Sequence, residues 1–287
     1  MFRRLFGSFA LLLLLPLASA QANVSPQSGL QTTAIRDVTF ENVKALTDAE
    51  KRQITQRLHG EDPDWVTRQT PDALAAFVQN IVLAVYQDYG YWRAKVSAKV
   101  TWVSGRGSQR QVDVAILAVN EGEQYWLKGI RWAGVTAFPN DELLGLMAIR
   151  PFDLASRSRV AEGLEAIRKL YVSRGYAAFS AVPQVEFDDA AHSVSLLINV
   201  QEDSPFHFGS LSLEGLDQTA SRALRQEWEQ MREQPYSPER LRAFLGKFLT
   251  MPPGADPLDY SNSSLDLDNH TVDVFVSILP AQAEKRE

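Results

Sequence analysis

Apolar and polar residues alternate in three short stretches: Val38-Thr39-Phe40-Glu41-Asn42-Val43, Ile130-Arg131-Trp132-Ala133-Gly134-Val135 and Leu211-Ser212-Leu213-Glu214-Gly215-Leu216. Each predicts a β-strand of period two that runs into a turn where Asn or Gly accepts a left-handed backbone. The three recur about 80–90 residues apart. Two further landmarks keep the same step. Asp88-Tyr89-Gly90-Tyr91 answers Ser173-Arg174-Gly175-Tyr176, and Val119-Asn120-Glu121-Gly122 answers Val200-Gln201-Glu202-Asp203. Three landmarks in step predict a repeated unit.

Inside each unit the period changes twice. Asp48 to Leu58 has helical spacing, and Thr70-Pro71 opens a longer helix as N-cap and first helical residue. Its predicted apolar face is Leu74, Phe77, Val78, Ile81, Val82, Val85 and Tyr89, ended by Gly90. Strands are predicted at Arg93–Val103 and Gln111–Val119, joined by Ser104-Gly105-Arg106-Gly107-Ser108. The second unit has a short helix at Asp141–Met147 and a longer one carrying Val160, Leu164, Ile167 and Tyr171. Its strands are predicted at Ala177–Phe187 and Ser193–Val200. The third has a helix over Leu216–Arg232 and a second opened by Ser237-Pro238, with Leu241, Phe244, Leu245, Phe248 and Leu249 on one face. Strands follow near Ser264–Asp268 and Thr271–Leu279. The expected class is α+β, in the order β-α-α-β-β three times. Each unit then forms a three-stranded mixed sheet with two helices on one face. Such a sheet has two edges, whose unfilled N–H and C=O groups a foreign strand can complete.

The start of the chain has a different pattern. Arg3 and Arg4 precede an apolar run, Leu5 to Leu17, and Ala18-Ser19-Ala20 follows as a small-x-small cleavage site. The run is about 13 residues, short of a spanning helix, and predicts an export signal cut near Ala20. The alternative is a signal kept as an anchor. The expected layout is a signal at 1–20, units at 33–120, 121–203 and a divergent 204–280, and a charged tail at 281–287.

Composition adds exclusions. Among 287 residues are 29 Lys+Arg and 35 Asp+Glu, a formal charge of −6, and no cysteine. Absence of cysteine removes disulfides, thiolate metal sites and a cysteine nucleophile. The acidic balance argues against nucleic acid, which needs a concentrated basic face. His59, His192, His207 and His270 are scattered, with no His-x-His or His-Glu-x-x-His among them, and read as loop or surface histidines. Asp266-Leu267-Asp268-Asn269 opens like a calcium loop but lacks the later glycine and glutamate, so it reads as a hairpin turn. Gly105-Arg106-Gly107 lies between strands and is not a phosphate loop, and no Gly-x-Ser-x-Gly elbow occurs. Asn262-Ser263-Ser264 and Asn269-His270-Thr271 match a glycosylation sequon, which matters only in a eukaryotic secretory pathway. No enzyme is expected, and no cofactor or metal. Trp92, Trp102, Trp126 and Trp132 read as core and rim packing.

The unit resembles the polypeptide-transport-associated (POTRA) domain. The resemblance rests on Val-Asn-Glu-Gly-x-x-Tyr at 119–125 leading into Ile130 and Gly134, then on Arg168-Lys169-Leu170-Tyr171-x-x-x-Gly175-Tyr176. The first unit has Asn42 where the turn glycine would stand. The third departs most, with Met251-Pro252-Pro253-Gly254 in place of the Tyr-x-x-x-Gly-Tyr signal. Such domains stand in tandem in the periplasm ahead of an outer-membrane barrel. This chain ends in Ala281-Gln282-Ala283-Glu284-Lys285-Arg286-Glu287 without barrel-like strands, so the resemblance implies the polypeptide-binding part of the family's activity rather than membrane insertion.

What the resemblance implies is a non-catalytic periplasmic module. It would bind extended or unfolded outer-membrane or secreted polypeptides by edge-strand addition, during outer-membrane protein assembly or secretion. The other reading is a scaffold that docks a separately encoded barrel or envelope complex. No small-molecule substrate is expected. The resemblance points to the second strand of each sheet as the edge, with Ala94, Val96, Ala98, Val100 and Trp102 in the first unit and Ala178, Ser180, Val182, Gln184 and Glu186 in the second.

Overall fold

A computed structural model describes residues 34–104, 110–232, 234–249 and 254–277. The export signal, the charged tail, the 105–108 loop and Met251–Pro253 lie outside the described residues. The element order is β1 (Ile35–Glu41), α1 (Asp48–His59), α2 (Pro63–Arg68), α3 (Pro71–Asp88), β2 (Lys95–Ser104) and β3 (Arg110–Asn120). It continues with β4 (Trp126–Ala133), α4 (Asn140–Leu146), α5 (Arg157–Ser173), β5 (Ser180–Asp188) and β6 (Ser193–Gln201). The last set is β7 (His207–Glu214), α6 (Gln218–Met231), α7 (Pro238–Phe248), a 3-10 turn (Pro257–Tyr260), β8 (Ser261–Asp266) and β9 (Thr271–Ser277).

Among the described residues three separate three-stranded sheets result, ordered β1-β3-β2, β4-β6-β5 and β7-β9-β8. In the first, β1 runs parallel to β3 and β2 antiparallel to it; β7, β9 and β8 repeat that arrangement. The hairpin strand therefore sits in the middle, and the strand returning across the helices takes one outer place. The chain clusters into two compact units. One holds residues up to 131 with 148–161 and 184–196; the other holds 132–147, 162–183 and the residues from 197 onward.

The first unit is centred on α3, with Leu74, Val78, Ile81, Val82 and Tyr86 buried against Val112, Val114 and Ile116 of β3. Its buried stripe differs from the predicted face at the end. Tyr86 is 0% exposed, while Tyr89 is 40% exposed. Tyr86 can go inside because its hydroxyl finds a carboxylate there, which a phenol needs when buried. A short helix, α2, is present where two helices were expected, started by the Asp62 side chain on the Asp64 N–H and by Pro63. In the second unit, Phe206, Phe208, Trp228, Leu241, Phe244 and Leu245 pack on Val272, Val274 and Val276 of β9. Burying each such side chain contributes roughly 1.5–3 kcal/mol, which is why these few residues hold the layer together.

The second strand of the third sheet begins earlier than the spacing implies, at Ser261 rather than Ser264. Ser261, Asn262 and Ser263 carry no apolar alternation, so only pairing with β9 makes them a strand.

Candidate functional site

The strand order places β2, β5 and β8 at one edge of their sheets and β1, β4 and β7 at the other. The two kinds of edge are not equivalent. β1 and β7 both carry a bulge, between Ile35 and Asp37 and between Phe208 and Leu211. An aspartate on the central strand holds each bulge. Asp113 accepts the Arg36 guanidinium through both carboxylate oxygens, the Nε bond measuring 2.9 Å. Asp273 accepts the Ser210 N–H at 2.6 Å and its hydroxyl at 2.8 Å, and the Gly209 carbonyl takes the Trp228 indole N–H at 2.9 Å. Bulges of this kind twist an edge away from further pairing.

The chain itself also caps the starts of β4 and β7. The Leu127 N–H donates to Asp153, the Phe152 N–H to Leu127 and the Ala155 N–H to Tyr125, at 2.8–2.9 Å, and Leu154 bridges Trp126. At the start of β7, the Tyr236 N–H donates to Phe206 at 2.8 Å and Pro235 bridges His207. Among the described residues no such backbone cap reaches the outer rim of β2 over residues 95–101, or that of β8.

β2 too has a register shift, between Lys95 and Val96 at its start. From Val96 to Ser104 it pairs with β3 without interruption, from Val96 opposite Ala118 to Ser104 opposite Arg110. The register fixes which way its residues point. Val96, Ala98, Val100 and Trp102 lie opposite the buried Ala118, Ile116, Val114 and Val112 and pack, half-buried, with Ala94 against the core. Ser97, Lys99 and Thr101 point to the other face, away from the helices.

The expected residues of β5 behave differently. Val182, Gln184 and Glu186 are exposed, Val182 at 54%, while Pro183 between them is buried. The set named on β5 thus faces solvent, whereas the set named on β2 faces the helices; period two predicts alternation but not its phase. Ala94 and Ala178 precede their strands. Ala178 packs instead on the core of the third sheet, and the Ser180 hydroxyl donates to Gln201 at 3.3 Å. Pro183 went unnoticed from sequence. Proline cannot donate to a ladder, so within an outer strand its nitrogen belongs on the rim, which then lacks one donor. The repeated triplets Val112-Asp113-Val114 and Val272-Asp273-Val274 were a legible sign of the bulge pins.

The two glutamates of the repeat are structural. Glu121 accepts the backbone N–H groups of Lys44 and Ala45, each at 2.8 Å, and the Tyr86 hydroxyl at 2.6 Å. Glu202, 8% exposed, accepts the Thr136 N–H at 2.9 Å, the Ala137 N–H at 3.0 Å, the Thr136 hydroxyl and the Tyr171 hydroxyl at 2.6 Å. Burial pushes both carboxyls up, but the bonds they accept outweigh it and hold them below their ordinary value. The partner phenols Tyr86 and Tyr171 are pushed up, first by burial and then by the facing carboxylate.

Two of the four histidines serve turns, whereas His59 ends α1 with its Nε2 buried and His207 begins β7. His192 and His270 take left-handed backbone, and their carbonyls accept the N–H of Trp126 and of His207, each at 3.0 Å. The Asp266 carboxylate accepts the N–H groups of Asp268 and Asn269, which makes this segment the expected hairpin turn. Trp92 donates its indole N–H to the Ala155 carbonyl at 2.5 Å, while the Trp132 indole nitrogen is buried without a partner among the described residues. Trp126 is 46% exposed, a rim residue rather than a core one.

A family model described as POTRA, surface antigen variable number repeat, matches residues 125–203. Among solved structures, POTRA domains 3–5 of BamA from Haemophilus influenzae match with a TM-score of 0.60 at 21% identity, over 86% of this chain and 96% of that one. The isolated fourth POTRA domain of the same protein is 28% identical over 29% of this chain and 95% of that one, with a TM-score of 0.27. The first of these matches establishes the fold. The chain is therefore a tandem of modules with the POTRA fold, and its second module, at 125–203, matches the POTRA family model.

Proposed function

We propose that this chain is a non-catalytic, periplasmic polypeptide-binding protein that acts in outer-membrane protein assembly or secretion by adding an extended client strand to an exposed sheet edge. The observation that carries the reading is the contrast between edges: β1 and β7 are bulged and β4 and β7 are capped at their starts by the chain's own backbone, while β2, after a register shift between Lys95 and Val96, pairs unbroken to Ser104 and meets no such cap over residues 95–101 among the described residues. An open edge of this length offers a row of main-chain donors and acceptors, which binds strands with little demand on their sequence. β2 is the preferred site and β5 the weaker one, because Pro183 removes a donor from its rim.

A photocrosslinking amino acid placed at Ser97 or Thr101, and as a control at exposed Gln56 on α1, tests this against a denatured outer-membrane protein diluted into the purified chain. Adducts at the β2 positions and none at position 56 are expected. Adducts concentrated on the helix would overturn edge addition.

A further inference from the structure

Resting on that reading, we infer that β2 is charge-selective: it prefers an amphipathic strand that places an acidic side chain beside Lys99. A strand added to the rim of β2 lies in register with it, so its side chains alternate between two environments. On the helix face they meet Val96, Ala98, Val100 and Trp102; on the other they meet Ser97, Lys99 and Thr101. The client strand is therefore apolar at alternate positions and polar between them.

Lys99 decides the sign of the polar side. It is exposed, midway along β2, and makes no ion pair among the described residues. Its cross-strand neighbour is Ala115. The nearby carboxylate, Asp113, lies opposite Thr101 and is already held by Arg36. The ammonium is thus uncompensated beside the place a new strand would occupy. An opposite charge directly across a ladder stabilises pairing and a like charge weakens it. The same lysine also disfavours pairing between two copies of β2, the usual role of a lysine on an outer strand. β5 carries the opposite charges: Glu186 and Asp188, paired at 2.7 and 3.6 Å with Arg131 and Lys128 of β4. Those carboxylates are already paired, so they give β5 no uncompensated charge like that of Lys99.

The test uses the whole chain and two alternating peptides that differ only in a central Glu or Lys, followed by β2 amide shifts and by affinity. The Glu peptide should bind on the order of two- to tenfold more tightly, with the difference shrinking as salt rises. Lys99→Glu should reverse the order and Lys99→Ala should abolish it; the position is exposed, so neither change threatens the fold. Equal binding of both peptides at β2 sinks charge selection while leaving edge addition intact. If neither peptide perturbs β2 amides, the underlying reading fails as well. Concentration-dependent β2 shifts without peptide would mean that a second copy occupies the edge, which also overturns the proposal.

Discussion

The Tyr171 hydroxyl donates to the Glu202 carboxylate at 2.6 Å, and this pair ties the long helix of its repeat to the end of the central strand. The same carboxylate takes the N–H groups of Thr136 and Ala137, so one side chain fastens the turn after β4 as well. Tyr86 and Glu121 repeat the arrangement in the first sheet's repeat. The Asn/Gln-Glu landmark in the sequence is thus a structural clasp and not part of a binding site.

Glu202→Ala should be strongly destabilising. It leaves two backbone donors and two hydroxyls without their acceptor inside the protein, at a cost of about 2–4 kcal/mol. Amide exchange should show the loss first at Thr136 and Ala137. If urea unfolding and exchange at those amides are unchanged, the clasp contributes nothing.

Acid should open the same clasp. Glu202 and Glu121 sit below their ordinary value when folded, so protonation favours the unfolded chain. Their stabilisation is complete above the ordinary glutamate range and is lost as pH falls through the lower folded value. Melting temperature against pH should drop in that acid window. Glu202→Gln should start lower at neutral pH and show a shallower acid fall, because one of the carboxylates held below its ordinary value has gone.

Gly134→Ala tests the turn that ends β4. The backbone there is left-handed at φ 84°, and an added Cβ would collide with the Val200 carbonyl oxygen. A cost of about 2 kcal/mol or more follows, since neither the main-chain atom nor the turn can yield cheaply. Asn42, at φ 55°, occupies the matching turn of the first sheet. Asn42→Gly should change stability by less than about 1 kcal/mol, because Asn already tolerates that region. Thermal unfolding of the two variants side by side checks both numbers.

Asp273→Ala should release the bulge of β7. Ser210 loses both of its hydrogen bonds to that carboxylate, at about 1 kcal/mol for the two. The informative readout is local: the Ser210 amide should exchange faster than in the parent chain. Sedimentation should also reveal new self-association, because a straightened outer strand becomes available for pairing. Unchanged exchange at Ser210 would show that the aspartate does not pin the bulge.

By itself the sequence determined the repeats and nearly every element, because period and capping are local properties. Thr70-Pro71 and Ser237-Pro238 start helices where they stand, and the alternation in each first strand is readable without any neighbour. Glycine and asparagine at the three strand ends needed only their own φ to be recognised. What the tertiary structure alone decided was the order of the strands, the direction each alternation faces, and which edges are shut. Ala98 and Val182 look alike in a period-two reading, yet one packs on the core and the other meets solvent. The reason is that phase and edge closure depend on partners far along the chain: Ile116 opposite Ala98, Asp273 on Ser210, and Asp153 on Leu127. Those pairings exist only after the sheet has assembled, so no window of neighbouring residues contains them.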